Sequence, residues 1–267
     1  MRKKFKRIAI RTVLGCTAMA ALAVAAQAEP IRTFFGEDLH NSRTTRLSST
    51  PNADAAAAEF LSNLSGTGTE EFESFSSGSV SSLALSFPGS MGSTITSTLS
   101  NPAGSNIVIN NRTSGTNGYG RYPISGDQYL DVDGANFQID FDNGIAAFGF
   151  YGIDIGDFGG ELSLTLANGV TESLDIGNTV GSGGSTDGSV LFFGLITDSP
   201  FTQLTFANST TSDIFAFDNM TIGDLSQIVP PTASVPEPAS LASFGFGLLS
   251  LALLTLPATR KRLAFRT

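Results

Sequence analysis

Apolar and polar residues alternate along much of the chain between residues 70 and 223. In a strand, successive side chains point to opposite faces, so a period of two predicts strands with one buried face. The alternating runs are residues 83–87, 137–141 and 162–166. Two runs that are almost continuously apolar, residues 145–153 and 190–196, predict central strands that are buried on both faces.

Short segments rich in Gly, Asn and Asp separate these runs and predict turns. They are residues 142–144, 156–160, 168–169 and 181–188. Asn168-Gly169 lies between two alternating runs, which is typical of a hairpin. Asp154 and Asp157 lie at the second of these segments, and we interpret both as hairpin-turn residues.

The pattern predicts about ten strands and no helical segment among them. Strands that follow one another at short intervals are typical of antiparallel sandwiches. We therefore predict an all-β domain over residues 67–225, a single antiparallel β-sandwich with jelly-roll-like connectivity. Residues 88–120 contain only short apolar pieces and are predicted to be long loops. The chain has 21 Phe and no Trp, which indicates a phenylalanine-rich core.

An N-terminal segment, residues 29–66, precedes the predicted sandwich. Alanine dominates residues 52–66, and Phe60, Leu61 and Leu64 form an apolar stripe at helical spacing. This stripe predicts one short helix that packs against the following domain.

Charge is distributed unevenly along the chain. Residues 29–259 contain five Arg and all 24 acidic residues, which gives this segment a net charge of −19. The other ten basic residues lie at the two ends. The negative charge of this segment would repel the phosphate backbone of a nucleic acid, so a nucleic-acid partner is excluded.

The first 28 residues have the three parts of a secretory signal peptide. A basic start is followed by an apolar stretch from Val13 to Ala26, and then by Ala26-Gln27-Ala28. The small side chains of Ala26 and Ala28 suit signal peptidase, which predicts cleavage after Ala28. The alternative is a lipoprotein in which Cys16 is lipidated. Cleavage after Ala28 would remove the only cysteine, so the exported chain could form no disulfide.

The C-terminal part of the chain has an unusual order of residues. An extended linker is predicted over residues 226–235, which contain two consecutive prolines. Pro236-Glu237-Pro238 follows, then an uncharged apolar run, then Arg260-Lys261-Arg262. As a helix, residues 239–256 would be roughly 27 Å long, close to the thickness of about 30 Å of bilayer hydrocarbon. This predicts a marginal transmembrane helix whose basic end stays in the cytoplasm.

Residues 236–262 resemble the PEP-CTERM sorting signal, because Val-Pro-Glu-Pro-Ala-Ser, a short apolar helix and Arg-Lys-Arg occur in that order. The resemblance implies recognition by an exosortase, a membrane protease of Gram-negative bacteria. The protease would cut near Pro236, Glu237 and Pro238 after transient anchoring in the inner membrane. The protein would then be released or re-anchored at the surface, in association with exopolysaccharide.

Few residue types suited to catalysis remain in the exported segment. His40 is its only histidine, and we interpret it as a solvated lone side chain. Zinc is not expected, because the exported segment offers too few nitrogen or sulfur ligands. Two carboxylates suffice for glycoside hydrolysis, so a carbohydrate-active enzyme remains an alternative, together with a lectin-like carbohydrate-binding module.

Calcium suits the composition better, because it takes oxygen ligands. Residues 69–75 open the β region and residues 213–223 close it. Both segments resemble strands of PEP-CTERM surface proteins and of jelly-roll carbohydrate-binding modules, in which the first and last strands lie together and hold a structural calcium. The resemblance makes Glu73 and Asp218 candidate calcium ligands, and the alternative is a pair of solvated carboxylates. The last strand is predicted either to be buried on both faces or to carry a bulge at Asp218-Asn219.

These observations predict a non-enzymatic, exported protein of the cell envelope, surface or extracellular matrix, with a structural or adhesive role near exopolysaccharide. The shape of the surface separates this function from the sugar-binding alternative. A concave face that carries Tyr119, Tyr122, Tyr129 or Tyr151 beside carboxylates would favour sugar binding. A flat acidic sheet would favour the matrix role.

Overall fold

The computed structural model describes residues 31–102, 107–157, 159–167, 171–209 and 213–230. These residues form one α-helix and twelve strands, and every pairing among them is antiparallel. The elements are β1 (Arg32–Asp38), α1 (Pro51–Ser62), β2 (Gly68–Glu70), β3 (Gly78–Val80), β4 (Ser82–Pro88), β5 (Thr94–Ser100), β6 (Ile107–Asn111), β7 (Gln128–Asp133), β8 (Gln138–Ile153), β9 (Leu162–Ala167), β10 (Thr171–Asp175), β11 (Val190–Asn208) and β12 (Ile214–Gly223). The predicted all-β antiparallel sandwich is confirmed.

The two longest strands, β8 and β11, take part in both layers of the sandwich. The second half of β8 pairs with the first half of β11 and with β12, and β1, β2, β7, β6 and β3 extend this layer. The first part of β8 pairs with β5 and with the second half of β11, and β4, β9 and β10 extend the other layer. The predicted central strands over residues 145–153 and 190–196 are confirmed.

The turn expected at residues 142–144 is not present, because β8 runs through this segment without reversing. The strand changes partners there instead, and the β8–β11 register shifts between Ile196 and Phe201. The Asp142 carboxylate accepts a hydrogen bond from the Thr96 backbone N–H at 2.9 Å. These residues therefore mark the point at which β8 passes from one layer to the other, and Asp142 satisfies a backbone N–H group of β5 there.

Residues 88–120 contain two strands, β5 and β6, where long loops were expected. Their inward-facing positions include Ile95, Ser97 and Leu99, all of them buried. The apolar alternation is interrupted because a small polar residue, Ser97, occupies the middle core position.

Phenylalanine rings fill the space between the two layers, as predicted. The rings of Phe150 and Phe217 are stacked with centroids 4.9 Å apart, and the ring of Phe206 lies 5.3 Å from that of Phe150. All three side chains are fully buried. Offset and edge-to-face pairs of this kind add to the stabilisation that the burial of apolar surface provides.

The N-terminal segment contributes both β1 and α1 to the sandwich. β1 pairs with β11 along its whole length. The predicted packing of the helix on the domain is confirmed, since α1 lies on β1, β8 and β11 and buries Phe60. Asp38, the last residue of β1, accepts hydrogen bonds from the backbone N–H groups of Asn52 and Ala53 and so caps the helix. The sandwich therefore includes residues that the sequence analysis placed before residue 67.

The start of the expected linker also belongs to the sandwich. The buried side-chain amide of Gln227 donates hydrogen bonds to the carbonyls of Gly66 and Pro88, and Ile228 forms a β-bridge with Leu64.

The predicted hairpin between residues 162 and 175 is confirmed, because β9 pairs with β10 from Ala167 and Thr171 onwards. Its turn residues, Asn168 and Gly169, lie outside the described residues. The signal peptide with Ala26 and Ala28, and the sorting tail with residues 236–262, also lie outside them. Across the part of the chain that the structure describes, no helix combines the length and apolar character needed to cross a bilayer.

Candidate functional site

The first and last strands of the β region lie together, as the resemblance implied. β2 pairs with β12, with Thr69 opposite Thr221. The register of β12 shifts between Asp218 and Thr221, where Asn219 adopts a left-handed conformation with φ 49°. Both predicted features of this strand are present, because the bulge interrupts a strand that is buried on both faces.

Glu73 and Asp218 each bind backbone amides of the segment that leads into β7. Oε1 of the exposed Glu73 accepts hydrogen bonds from the N–H groups of Asp127 and Gln128, at 2.8 and 2.6 Å. Oδ2 of Asp218 accepts from Ile124 at 2.8 Å and from Ser125 at 3.4 Å, and its Oδ1 accepts from Asn219.

Burial distinguishes these two carboxyl groups. Asp218 is fully buried, and this burial raises its pKa to about 8, although its three backbone donors act in the opposite direction. Neither residue belongs to the cluster of three acidic residues that the described part of the chain contains. Calcium binding by Glu73 and Asp218 stays a prediction.

That cluster consists of Asp154, Asp157 and Asp187, which the sequence analysis did not bring together. One carboxylate oxygen of each lies within 4.8 Å of those of the other two. The three side chains are 1%, 7% and 5% exposed, respectively. Asp154 and Asp157 were interpreted as turn residues, and they do lie in the segment after β8, but both side chains are buried.

Strand register explains why these residues meet. Ile153, at the end of β8, pairs with Val190 at the start of β11 and with Ala216 near the start of β12. The segment after β8 and the segments before β11 and β12 therefore lie at one end of the sandwich. Each contributes buried acidic residues, and Asp213, just before β12, interacts with Asp157. The sequence signal was an Asp beside each of three strand ends, but only the pairing shows that these ends are neighbours.

Hydrogen bonds hold the cluster in place and burial controls its charge. Oδ1 of Asp154 accepts from the Gly188 N–H at 2.9 Å, and Oδ2 of Asp213 accepts from the Gly156 N–H at 2.8 Å. Burial raises the pKa of Asp154 to about 8 and that of Asp157 to about 7, with further increases from neighbouring acidic groups. Burial also raises the pKa of Asp213.

A cavity of about 280 Å³ opens beside the cluster. Asp157 and Asp187 line it, together with Arg43, Tyr119, Arg121, Gly183 and Gly184. Tyr119 is 57% exposed, and the guanidinium carbons of Arg43 and Arg121 lie 4.9 and 5.5 Å from its ring centroid. The other three tyrosines, Tyr122, Tyr129 and Tyr151, are buried.

His40 takes part in loop packing. Its ring nitrogen Nε2 lies 3.1 Å from the Thr45 carbonyl oxygen and 3.3 Å from the Thr45 hydroxyl. Its backbone N–H donates to the Ser189 hydroxyl at 2.8 Å. Within the described residues, the His40 ring forms no hydrogen bond with a carboxylate. It therefore does not belong to a Ser-His-Asp arrangement there.

Comparison with known proteins identifies no family for this chain. No family model matches the sequence, and no curated protein matches it. Among solved structures, the K2 cleaved adhesin domain of Lys-gingipain is 12% identical, with a TM-score of 0.34 over 58% of this chain and 97% of that domain. TmCBM61 in complex with beta-1,4-galactotriose is 10% identical, with a TM-score of 0.25 over 47% of this chain and 86% of that one.

A third structure contains the CBM22-1 and GH10 modules of the Clostridium thermocellum endo-1,4-beta-D-xylanase 10B complexed with xylohexaose. It is 14% identical, with a TM-score of 0.23 over 58% of this chain and 28% of that chain. Similarities this weak assign no function to this protein.

Proposed function

We propose that this chain is an exported, non-enzymatic β-sandwich protein of the bacterial cell surface or extracellular matrix, and that it binds exopolysaccharide through the cavity beside Tyr119. One observation carries this proposal: an exposed aromatic ring, two guanidinium groups and two carboxylates surround a single concave site. An aromatic ring offers an apolar surface to the C–H face of a sugar, and the charged groups can form hydrogen bonds with sugar hydroxyls. A concave surface with a tyrosine beside carboxylates is what we expected of a sugar-binding protein. A flat acidic sheet, which we expected of a purely structural matrix protein, would lack such a site.

The cavity suits a single sugar unit or the end of a polysaccharide chain. Its volume of about 280 Å³ is just below the range of about 300–1,000 Å³ that is typical of small-molecule sites. Arg43 is exposed, so its side chain can move to admit a ligand to the Tyr119 ring. Arg121 is held by ion pairs with Asp131 and Asp154, so it would provide a fixed donor.

Replacing Tyr119 by alanine is expected to weaken binding to exopolysaccharide about tenfold, or by about 1.4 kcal/mol, because the stacking surface is lost. The measurement is affinity electrophoresis of the purified protein in gels that contain exopolysaccharide from the producing bacterium. Titration with oligosaccharides prepared from the same polymer then gives dissociation constants.

Two variants are matched controls for this experiment. Tyr119→Phe keeps the ring and should retain most of the binding. Phe35→Ala removes another exposed ring, which lies on β1 and is not among the cavity-lining residues, and should leave binding unchanged. Equal binding by the parent and Tyr119→Ala would contradict the assignment, and release of reducing ends from the polymer would support the enzyme alternative.

We further propose that residues 236–262 direct this protein to an exosortase. The support is the order of the three parts of the tail, which a buried core helix would not require. The apolar run would anchor the chain in the inner membrane of a Gram-negative bacterium until the protease acts. Signal peptidase would already have removed residues 1–28.

Protein recovered from the cell surface or medium is expected to begin at Glu29 and to lack the residues beyond about Pro238, because both ends serve only in export. Intact-mass spectrometry measures both ends at once. Glu237→Ala, which changes the sorting motif but not the apolar helix, should leave the C-terminus unprocessed. Recovery of the complete tail from surface material of the parent would refute the exosortase assignment.

A further inference from the structure

We infer that Asp154, Asp157 and Asp187 bind a divalent cation, and that this cation is Ca²⁺. Asp213, which lies before β12 and interacts with Asp157, is the fourth acidic residue of the site. The inference goes beyond the proposed function, because it does not depend on saccharide binding. It also places calcium at a different position from the one that the resemblance implied.

The carboxylate oxygens are close enough to share one ion. One oxygen from each of the three Asp residues lies within 4.8 Å of the other two. Ca²⁺–O distances are about 2.3–2.6 Å, so two oxygens on opposite sides of the ion are about 4.6–5.2 Å apart. The three groups therefore fit around one calcium ion with little movement.

Unpartnered oxygen atoms provide independent support for a ligand. Asp157 is only 7% exposed, and its buried Oδ1 atom has no hydrogen-bond partner. The other contacts of this side chain are with the carboxyl groups of Asp187 and Asp213, and a hydrogen bond between two carboxyl groups requires a proton on one of them. The hydroxyl of Thr186, which precedes Asp187, is also buried without a partner. A buried carboxylate oxygen without a donor is unfavourable, and coordination of a cation removes this penalty.

The nearby positive charge is too small to neutralise the site. A guanidinium nitrogen of Arg121 lies 3.5 Å from Asp154, but Arg121 also forms a closer ion pair with Asp131, at 2.8 Å. Arg43, which lines the same cavity, is exposed to solvent, so two arginines face five acidic residues and the charge remains unbalanced. A divalent cation would let the buried carboxylates ionise together.

The ligand atoms favour calcium over other common metals. The cluster contains only carboxylates, and zinc prefers nitrogen or sulfur ligands. Mg²⁺ demands near-ideal octahedral geometry and keeps several waters, whereas Ca²⁺ accepts irregular sets of six to eight oxygens. A site assembled from three separate chain segments suits the less demanding ion.

Calcium at this position would tie together the segments that follow β8 and precede β11 and β12. Asp157 and Asp187 also line the cavity beside Tyr119, so the ion would fix the floor of that cavity. The segment before β11 is rich in glycine, and Gly183, Gly184 and Gly188 adopt positive φ angles, so this segment loses much conformational freedom when it becomes ordered. We expect calcium to order this segment most strongly.

The experiment is a calorimetric titration of the purified, chelator-treated protein with CaCl₂ in the absence of saccharide, together with thermal unfolding. One calcium ion per chain should bind. At about a hundredfold excess over the dissociation constant, the melting temperature should rise by roughly 5–10 °C. MgCl₂ at equal ionic strength controls for charge screening. Because no saccharide is present, failure of this experiment is distinguishable from failure of the Tyr119 prediction.

Asp157→Asn and Asp187→Asn keep the side-chain shape and remove one charge each. Both are expected to weaken calcium binding at least about tenfold. In chelator, Asp157→Asn should be no less stable than the parent, because it relieves repulsion among buried carboxyl groups and adds a donor. Asp175→Asn, an exposed change on β10, should leave calcium binding unchanged.

Several outcomes would overturn the inference. They are no calcium binding by the parent, an equal stabilisation by magnesium, or undiminished calcium binding by both Asp157→Asn and Asp187→Asn. Loss of calcium binding in Asp218→Asn but not in Asp157→Asn would assign calcium to the Glu73 and Asp218 position instead.

Discussion

Replacing Phe60 by alanine is expected to lower the free energy of unfolding by about 3–5 kcal/mol, which is a large part of the stability of a typical domain. Phe60 is fully buried between α1 and the outer face of the sheet, where its ring centroid lies 5.7 Å from that of Phe34 and 5.6 Å from that of Phe192. Its removal leaves a cavity beneath the helix and weakens the attachment of α1. Urea denaturation followed by circular dichroism measures the change.

Leu61→Ala is the matched control, because Leu61 follows Phe60 in the same helix and is 43% exposed. It should cost no more than about 0.5 kcal/mol, as surface substitutions usually do. Equal losses in the two variants would contradict the packing argument, because alanine raises helix propensity at both positions and only the Phe60 ring is buried.

Two glycines of the sheet make room for the Phe60 ring. A Cβ atom added to Gly149 would lie 2.7 Å from Cε1 of Phe60, and one added to Gly194 would lie 2.8 Å from its Cδ2. Gly194→Ala should therefore destabilise the parent, and this cost should shrink when Phe60 is already alanine. A double-mutant cycle between the two positions measures this coupling.

The sequence predicted the strands that have one apolar and one polar face, and it missed those in which this contrast is weak. Residues 83–87 lie in β4, whose inward positions are buried as the alternation requires. β5 was missed because Ser97 fills a core position. β1 was missed because Phe34 and Phe35 are adjacent and face opposite sides, with one buried under the helix and the other exposed. Hydrophobic periodicity detects a strand only when its two environments select different residue types.

The candidate site was harder to predict than the fold, because long-range register creates it. Asp154 and Asp213 are 59 positions apart, and both lie beside strand ends that pair with each other. Asp157 and Asp187 each stand next to a glycine, which is the ordinary composition of a turn, so these two residues had an adequate local explanation. Burial distinguishes these residues from ordinary turn residues and makes them a candidate site. It arises because loops cover that end of the sandwich.

Replacing Asp218 by alanine is expected to lower the free energy of unfolding by about 2–4 kcal/mol. Asp218 is fully buried, and the substitution leaves the backbone N–H groups of Ile124, Ser125 and Asn219 without their acceptor. A buried N–H group that loses its acceptor destabilises the fold by more than the hydrogen bond had stabilised it, because water cannot easily replace the carboxylate. Asn219 also holds a left-handed conformation at the bulge, which the hydrogen bond to Asp218 helps to maintain.

Glu73→Ala is the informative comparison, because Glu73 accepts hydrogen bonds from two amides of the same segment but is exposed to solvent. Water can solvate these amides, so the loss should be no more than about 1 kcal/mol. Both variants are to be unfolded in calcium and in chelator. Because hydrogen bonds to backbone amides already engage both carboxylates, we expect the same loss for each variant under the two conditions. A loss that appears only in calcium, and in both variants, would show instead that Glu73 and Asp218 hold the ion that the resemblance implies.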